Sequence, residues 1–593
     1  MRVARRARVA PRSARASRRD RRRRVARVRS RGADDLAWDD DDDAARVASL
    51  ERRSKTPLRV DARATPARGD PVVALFSRDV ARAIGLDADE ASDATFARRA
   101  AGEASWRGDD GGARGSAWAY AGHQFGAFAG LLGDGRAIAV GSVAGRREAF
   151  ESGVESDDAR ASGGDARVEV QLKGAGRTAY SRGGDGRATL RSSAREFVAS
   201  EAMAALGVPT TRALCVAATN DGVTRATASA SGYRLEAGGV LTRVSTRGGL
   251  VRFGSFEWPA SRGDDEGVRA LADYVVECSG AFGEDARRAD GAVDYGGFLR
   301  AVARKTGALA AKWQCVGFVH GVLNTDNMSV LGLTLDYGPY GFMEAFDYDY
   351  VSNASDDTGM YSYAKQPSAV RWNVDRLCDA FARVAPRGAR AEALRAYDEA
   401  FEETTYAQYT KKFGVRVHDA TSYGDVVARF HRALHRGRFD FTRSHRLLGA
   451  FATCVSARGE AMTAPALCVE MFAQISGEQG RDWASVAAAD PALVAMIEDF
   501  GASYADAILN DDALGRDATA RRSTQDSSNP AVVPRNHILA RVIADGCDAD
   551  DWRSARAFID ALATPFEDPT DAAFARPATD AELARHGRLS CSS

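Results

Sequence analysis

The segment GFVHGVLNTDNMSVLGLTLDYG, residues 317–338, concentrates side chains whose chemistry suits the handling of a phosphate group. Asn327 and Asp336 supply hard oxygen atoms, the ligands that Mg²⁺ or Mn²⁺ uses when it bridges nucleotide phosphates. Asp326 could accept a proton from an attacking hydroxyl group, a step worth about 10²- to 10⁴-fold in rate. The alternative is an Asx-rich turn that only reverses the chain. The presence of Asp326, Asp336, Asn327 and His320 in one loop favours the chemical interpretation.

The spacing within this loop is typical of a kinase catalytic loop in which one residue has changed. Such loops run His-x-Asp, four residues, then Asn, with a metal-binding Asp-x-Gly further on. His320 and Asn327 keep that spacing, and Asp336 opens Asp-Tyr-Gly, but the position of the proton-accepting Asp is Val322. The loop therefore indicates either an inactive kinase or an enzyme that catalyses a different transfer.

A Lys and a Glu upstream of this loop could form the second part of the site. The alternating residues of VEVQLK, 168–173, predict a half-buried strand that ends at Lys173 and enters a glycine-rich loop. In a kinase-like lobe, a Glu near the start of the next helix, here Glu196, aims such a Lys at phosphates. Ser193 and Glu196 also match a capping box, which would occupy Glu196 structurally. Only seven of the 81 basic residues are Lys, which favours a functional role for Lys173.

Two glycine-rich turns and two arginines could add to a phosphate site. LGDGR, 132–136, and GGDGR, 183–187, offer backbone amides that can approach an anion closely. The Asp-Gly of the first turn also predicts a tight hairpin between its apolar flanks. Arg243 and Arg252 could each clamp phosphate oxygens with two donors. Because Arg is the usual cation of this chain, a surface role is the better explanation for either arginine taken singly.

The order of elements predicts an α+β architecture of the protein-kinase-like, bilobal kind. A β-rich N-lobe is followed by one helix from Ser193 to about Gly207 and then by a large α-helical C-lobe, with a nucleotide expected in the cleft between the lobes. We expect the charge-rich segments 145–166 and 261–292 to be surface insertions. The predicted domains are a charged segment containing a transit peptide at 1–45, an N-terminal extension at 46–116, a kinase-like N-lobe at 117–255, and a helical C-lobe with catalytic loop and tail at 256–593.

The composition is that of a globular protein. The chain has 593 residues, 45% of them hydrophobic, and equal numbers of basic and acidic residues, so its charge calls for neither nucleic acid nor an anionic membrane as a partner. No apolar run approaches the 18 or more residues that a membrane span requires. The eight Cys show no metal-ligand spacing, which argues against a structural metal cluster but leaves one long-range disulfide open.

The N-terminus is strongly basic. Residues 1–33 contain fifteen Arg and a single acid, Asp20, which is typical of an organelle transit peptide. A basic arm or a mistaken start codon would have the same composition. The composition therefore predicts an organelle location; the family resemblance given below implies a mitochondrial one, with the chloroplast as the alternative.

Long stretches of the chain resemble the selenoprotein O family, kinase-like proteins once called pseudokinases. The resemblance covers roughly residue 50 to the C-terminus. It is carried by YAGHQFGAFAGLLGDGR at 120–136, QLKGAGRTAYSRGGDGRATLRSSAREFVASEAMAALGVPTTRAL at 171–214, GFVHGVLNTDNMSVLGLTLDYGPYGF at 317–342, SDDTGMYSYAKQPSAVRWNVDRL at 355–377 and NPAVVPRNHILARVIADG at 529–546.

The resemblance implies a protein adenylyltransferase. ATP is held in the inverse orientation to that in ordinary kinases, AMP passes to Ser, Thr or Tyr hydroxyls of proteins, and pyrophosphate leaves, with Mg²⁺ or Mn²⁺ as the metal. By motif, the resemblance assigns Lys173, Glu196, Gly133, Gly135 and Arg136 to the phosphate site, Asp185 and Gly186 to the adenosine side, Arg243 and Arg252 to the inverted-phosphate pocket, Asp326 to the base, and Asn327 and Asp336 to the metal. The family's tail often carries a Cys-x-x-Cys or Cys-x-x-selenocysteine pair, which Arg588 and Cys591 do not reproduce.

Two other functions remain open at this point. A conventional kinase would transfer the γ-phosphoryl group, and Val322 argues against it because the usual base is missing from its place. A silent nucleotide-binding scaffold would need neither the Lys nor the metal-ligand positions.

Overall fold

The computed structural model describes residues 36, 38, 41–108, 111–150, 165–226 and 232–589. The Arg-rich start, most of the proposed insertion at 145–166, and Cys591 lie outside these residues. Strands predominate up to residue 246 and helices after it, so the architecture is mixed α and β. The strands are β1 Arg59–Arg63, β2 Val72–Phe76, β3 Arg114–Trp118, β4 His123–Gln124, β5 Ala127–Phe128, β6 Ala137–Arg146, β7 Asp165–Lys173, β8 Arg212–Ala226, β9 Tyr233–Thr246, β10 Phe318–Val319 and β11 Gly341–Phe342.

Seven of these strands form one antiparallel sheet in the order β1-β3-β6-β7-β9-β8-β2. The pairs β4–β5 and β10–β11 stand apart from it as short two-stranded ribbons. Strand β7 lies at the centre of the sheet, so the residues at its end are held by neighbours on both sides.

The helices cover the sheet and build the second half of the chain. They are α1 Asp41–Arg53, α2 Arg78–Ala83, α3 Ala94–Ala100, α4 Leu190–Ala205, α5 Phe253–Ser261, α6 Asp265–Ser279, α7 Tyr295–Cys315, α8 Gln366–Ala380, α9 Ala389–Phe413, α10 Ala420–Ser422, α11 Arg429–Gly437, α12 Phe441–Arg458, α13 Ala464–Glu478, α14 Trp483–Ala489, α15 Pro491–Ala513, α16 Ala518–Asp526, α17 Asn536–Ala549, α18 Arg553–Ala563 and α19 Asp580–His586. Within the described ranges, no helix has both the length and the apolar composition needed to cross a membrane.

The predicted strand at 168–173 is confirmed, but it is not half-buried. Val168, Val170 and Leu172 are fully buried on one face, and Gln171 and Lys173 on the other face are also buried, at 1% and 8% exposure. Polar side chains tolerate such burial only when they are hydrogen-bonded. The polar face of β7 is therefore the wall of a charged cleft.

Helix α4 begins earlier than the sequence predicts. The N-cap is Thr189, whose side chain accepts a hydrogen bond from Ser192 N, whereas Ser193 lies inside the helix and donates to the carbonyl of Gly239. The capping box between Ser193 and Glu196 does not form. Glu196 is thereby left available for another partner.

Two other predictions of local structure are wrong. Asp134 and Gly135 do not form a hairpin, because the buried Asp134 carboxylate accepts hydrogen bonds from Trp118 N at 3.2 Å and Gln171 Nε2 at 3.3 Å and so fixes a loop. The segment 261–292 is not a surface insertion, since it contains α6, whose apolar side is fully buried in the main core. Its charged residues lie on the outer side and conceal the helical pattern.

The seven cysteines within the described ranges form no disulfide with one another. The possibility of a long-range bridge among them is therefore excluded.

Candidate active site

A cavity of about 680 Å³ lies where the sheet meets the helical half of the chain. Pockets of this size are typical of small-molecule and cofactor sites. Its lining includes all but one of the residues singled out in the sequence: Gly133, Gly135, Arg136, Lys173, Asp185, Gly186, Glu196, Arg243, Arg252, Asn327 and Asp336. A larger cavity of about 860 Å³ borders β2, α4 and α18, but it contains none of them.

Lys173 forms the centre of this cavity's polar network. Its Nζ lies 3.0 and 2.7 Å from the two carboxylate oxygens of Glu196 and 2.6 Å from Asp336 Oδ1. The pairing with Glu196 agrees with the kinase-like interpretation and not with the capping interpretation. Lys173 is thus held by two carboxylates, one from α4 and one from the loop after β10.

The two arginines are buried at the same point. Arg243 NH1 donates to Asp336 Oδ1 at 2.7 Å, and its Nε and NH2 donate to Gln171 Oε1 at 2.8 and 2.6 Å. Arg252 NH1 donates to Asp336 Oδ2 at 2.5 Å and to the carbonyl of Asp326 at 2.6 Å. The side chains of Arg243 and Arg252 are only 2% and 4% exposed, so the surface role considered for them is wrong.

Asp336 is surrounded by positive charge. Burial acts to raise its pKa, but Arg252, Lys173 and Arg243 outweigh burial and hold the pKa well below the usual value. The three cations pair with the carboxylates of Asp336 and Glu196, and Asp134 lies 3.7 Å from Arg252. Ammonium and guanidinium groups that converge on one point of a cavity are suited to binding the phosphates of a polyanionic ligand.

The residues of the two glycine turns lie at the cavity's margin. Gly133 and Gly135 pack against Tyr180 and leave no room for a side chain, since an added Cβ would lie 2.3 and 2.8 Å from its atoms. Asp185 accepts hydrogen bonds from Arg225. Burial acts to raise the pKa of Asp185, but the hydrogen bonds outweigh burial and the pKa is lowered. The close packing at Gly133 and Gly135 and the Asp185–Arg225 ion pair therefore both shape this side of the cavity.

Asp326 is the one predicted residue that does not line the cavity. It lies on a short 3₁₀ turn, Thr325–Asn327, and its Oδ2 accepts a hydrogen bond from Gln124 Nε2 at 3.2 Å. Its Oδ1 is buried beside Gly122 and has no hydrogen-bond partner within the described part of the chain. Burial raises the pKa of Asp326 to about 6. A carboxylate in this condition has unused capacity to accept a proton.

His320 fixes the loop that carries these groups. Burial lowers its pKa to about 4, so the ring is neutral. The Nε2 atom lies 3.0 Å from the carbonyl of Leu335, and Nδ1 accepts a hydrogen bond from Val322 N at 3.3 Å. The ring therefore ties the start of the loop to the residue before Asp336 and acts structurally.

Gln124 was not among the site residues predicted from the sequence, although it lies within the motif YAGHQFGAFAGLLGDGR at 120–136. It belongs to β4, and the preceding residue, His123, donates its backbone N–H to Thr325 Oγ1 at 2.7 Å. Gln124 is 202 positions from Asp326 in the chain, so no local pattern could have revealed their contact.

Replacing Gln124 with Leu is expected to lower the rate of transfer by about 10-fold or more while leaving the KM for ATP near wild type. Hydrogen bonds to charged groups contribute about 1.5–3 kcal/mol, and here the bond orients the Asp326 carboxylate. Gln474→Leu is the matched control, because Gln474 donates to Glu478 at 2.9 Å in a helix outside the cavity. Steady-state kinetics of both variants check the prediction. An unchanged rate in Gln124→Leu would show that it does not position the base.

The loop supplies two oxygen atoms of the kind that a divalent cation uses as ligands, those of Asn327 and Asp336. Asn327 Nδ2 donates to the carbonyl of Val322, and its Oδ1 lies 3.4 Å from the same Arg252 nitrogen that Asp336 Oδ2 approaches. The two hard oxygens therefore lie near each other, with the positively charged Arg252 nitrogen as their common neighbour. Among the described residues, no group of three or more His, Cys, Asp or Glu could hold a metal ion. Two protein ligands suit Mg²⁺ or Mn²⁺, which usually completes its shell with phosphate and water.

Comparison with known proteins identifies relatives over most of the chain. Residues 61–563 match the family model described as protein adenylyltransferase SelO. The protein nucleotidyltransferase YdiU of Bordetella petrii is 39% identical over 479 residues, which cover 79% of this chain and 82% of that protein. The YdiU proteins of Dechloromonas aromatica and Thiobacillus denitrificans are 42% and 36% identical, covering 66% and 88% of this chain and 71% and 94% of their own lengths.

These relatives contradict the predicted location. They are bacterial proteins, so the mitochondrial or chloroplast location expected from residues 1–33 is wrong. The expectation came from the composition of residues 1–33 and from the location that the resemblance implies for eukaryotic members. Composition alone does not distinguish a transit peptide from an Arg-rich stretch in a chain whose basic residues are almost all Arg.

The extent of the family match and the similarity to the YdiU relatives agree with the resemblance found in the motifs. The chain belongs to the SelO family of protein adenylyltransferases and is a nucleotidyltransferase that uses ATP.

Proposed function

We propose that this chain transfers AMP from ATP to Ser, Thr or Tyr hydroxyls of proteins, its own included, with ATP held in the inverse orientation and with Mg²⁺ or Mn²⁺ bound. The observation that carries the proposal is the convergence of Lys173, Arg243 and Arg252 on Asp336, beside Asp326, whose Oδ1 has no hydrogen-bond partner among the described residues. The cations would hold a polyphosphate, and the free carboxylate oxygen would serve as a base.

The cations favour the terminal phosphates at the buried end of the cavity. In the inverse pose, Lys173, Arg243 and Arg252 take the β- and γ-phosphates, with the turn of Gly133, Gly135 and Arg136 beside them. Asp185 and Gly186 would then border the adenosine. This placement leaves the α-phosphorus toward the acceptor side.

The transfer follows from these positions. Asp326 accepts the proton of the acceptor hydroxyl, whose oxygen forms a bond to the α-phosphorus. The bond from the α-phosphorus to the bridging oxygen breaks, and pyrophosphate leaves with its charge stabilised by the buried cations. A divalent ion bound by Asn327 and Asp336 would neutralise further phosphate charge.

We also propose that the two halves of the chain act as the lobes of a protein-kinase-like fold. The boundaries we favour are an extension at 46–116, an N-lobe at 117–255 and a C-lobe at 256–593. The seven-stranded sheet, the Lys173–Glu196 pair and the loop around His320 support this arrangement. The extension supplies β1 and β2 to the same sheet, which supports its close association with the N-lobe.

The alternatives fit the geometry less well. At the usual position of a kinase base, Val322 only donates its backbone N–H to His320 and has no side chain that accepts a proton. A silent scaffold would not require a buried carboxylate with unused hydrogen-bonding capacity, which costs free energy. Both observations favour an active enzyme with a relocated base.

The products of ATP turnover distinguish these functions. On incubation with ATP, Mg²⁺ and a protein acceptor, we expect pyrophosphate to accumulate in step with modified protein. Accumulation of ADP would contradict the proposal in favour of a kinase, and ATP binding without either product would indicate a scaffold. A parallel incubation with excess chelator tests the metal: turnover should stop and should return on addition of Mg²⁺ or Mn²⁺. Full turnover in chelator would refute the metal assignment.

A further inference from the structure

A patch of exposed aromatic and apolar side chains lies beside the proposed base. Phe125, Phe128, Met360 and Trp372 are 40%, 48%, 38% and 37% exposed. Phe125 stacks on Tyr361 with ring centroids 5.1 Å apart. His123 links Phe128 and Trp372, with its ring centroid 5.2 and 5.4 Å from theirs. Side chains from the β4–β5 hairpin, α8 and the loop before it thus form one continuous surface.

This surface contains a groove of about 640 Å³, which we name the acceptor groove. It is lined by Gly126, Met360, Tyr361, Lys365, Ala369 and Trp372, together with three small polar residues. Gly126 has a φ of 81° and presents only its backbone, and a Cβ added there would lie 3.5 Å from Met360 Cε. The groove is therefore open and mostly apolar, with Lys365 as its cationic side chain.

The acceptor groove shares its supports with Asp326. Tyr361 OH donates to Asn324 Oδ1 at 2.9 Å, and Asn373 Nδ2 donates to the carbonyl of Leu323 at 2.8 Å. On the other side, the β4–β5 hairpin that carries Gly126 also carries Gln124, which contacts Asp326. A substrate segment that binds in the groove consequently lies against the segment from Leu323 to Asp326, which ends at the proposed base.

We infer that the acceptor groove binds the protein substrate and selects segments in which a bulky apolar side chain lies close to the hydroxyl that receives AMP. This inference rests on the proposed function. The acceptor must bring its hydroxyl to Asp326, so it has to cover the surface around that residue. Exposed apolar surface of this kind, beside a catalytic group, is characteristic of recognition sites. A Leu, Met or Phe side chain gains most from such a groove because its burial removes apolar area from water.

Peptide acceptors of matched sequence test the inference. One series carries a single Ser with Leu or Phe two residues away, and the other carries Gly at that position. We expect the wild-type enzyme to adenylylate the apolar series with a kcat/KM about tenfold or more above the Gly series. Trp372→Ala and Met360→Ala should bring that ratio close to one while leaving the KM for ATP unchanged. Met462→Ala is the control, because Met462 is 89% exposed and does not line the groove.

The outcomes distinguish a failure of this inference from a failure of the proposed function. Transfer of AMP with no preference between the series, or a loss in Trp372→Ala that is equal for both, overturns the inference and leaves the proposed function intact. Absence of transfer to any hydroxyl overturns both. If the groove instead holds a second copy of the chain, the variants will change the sedimentation coefficient and not the ratio. Melting temperatures confirm folding, and Met360→Ala retains the test if Trp372→Ala is unstable.

Discussion

Replacing Asp326 with Asn is expected to lower the rate of AMP transfer by about 10²- to 10⁴-fold, the usual contribution of a general base. The amide has the same shape and can still accept the hydrogen bond from Gln124, but it cannot take a proton from the acceptor. Asp326 is 8% exposed and does not line the cavity proposed to bind ATP, so the affinity for ATP should remain near the wild-type value. Single-turnover rates and ATP titrations measure the two quantities separately.

Asp511→Asn is the matched control for this variant. Asp511 is also 8% exposed, and it pairs with Arg516 at 2.8 Å in the helical half of the chain. We expect its transfer rate to match the wild-type rate. An Asp326→Asn enzyme that keeps more than about a tenth of wild-type activity would exclude Asp326 as the base.

Replacing Asp336 with Ala is expected to abolish transfer and to destabilise the protein at the same time. The carboxylate is the shared partner of Lys173, Arg243 and Arg252 and a proposed metal ligand. Its removal leaves cations without compensation, which costs about 3–5 kcal/mol in a fully buried pair. Because the Asp336 side chain is 21% exposed, we expect a smaller loss, about 2 kcal/mol in the free energy of unfolding.

Two measurements check this second prediction. Urea unfolding should show the loss of stability, and added phosphate should restore part of it by binding the uncompensated cations. Asp347→Ala is the control, since Asp347 pairs with Arg438 at 3.4 Å and its side chain is 26% exposed. A fully active Asp336→Ala enzyme would refute the metal assignment, and unchanged stability would refute the electrostatic account.

Local patterns were sufficient for some parts of the site. The alternating residues of β7 placed Lys173 at a strand end, and the spacing from His320 to Asn327 identified the loop, because both depend on neighbours in the chain. The sequence allowed two roles for Glu196, an ion pair with Lys173 and a capping box with Ser193. The position of the N-cap at Thr189 and the contact of Glu196 with Lys173 decide between them, and both depend on packing between distant segments.

Other parts depend on contacts that no local pattern contains. Arg243 and Arg252 are indistinguishable by sequence from the many surface arginines, and their burial follows from the fold of distant segments around Asp336. The Gln124–Asp326 hydrogen bond and the acceptor groove likewise join the hairpin β4–β5 to residues about 200 positions later. Asp134-Gly135 has a strong hairpin signal, yet the buried carboxylate overrides it.

The origin of the transferred group tests the central claim most directly. The purified enzyme is incubated with ATP labelled at either the α- or the γ-phosphorus, and the protein is separated from nucleotide and counted. The inverse orientation and the relocated base predict that label enters protein from α-labelled ATP only, and that it is lost in Asp326→Asn. Label that enters only from γ-labelled ATP would contradict the account.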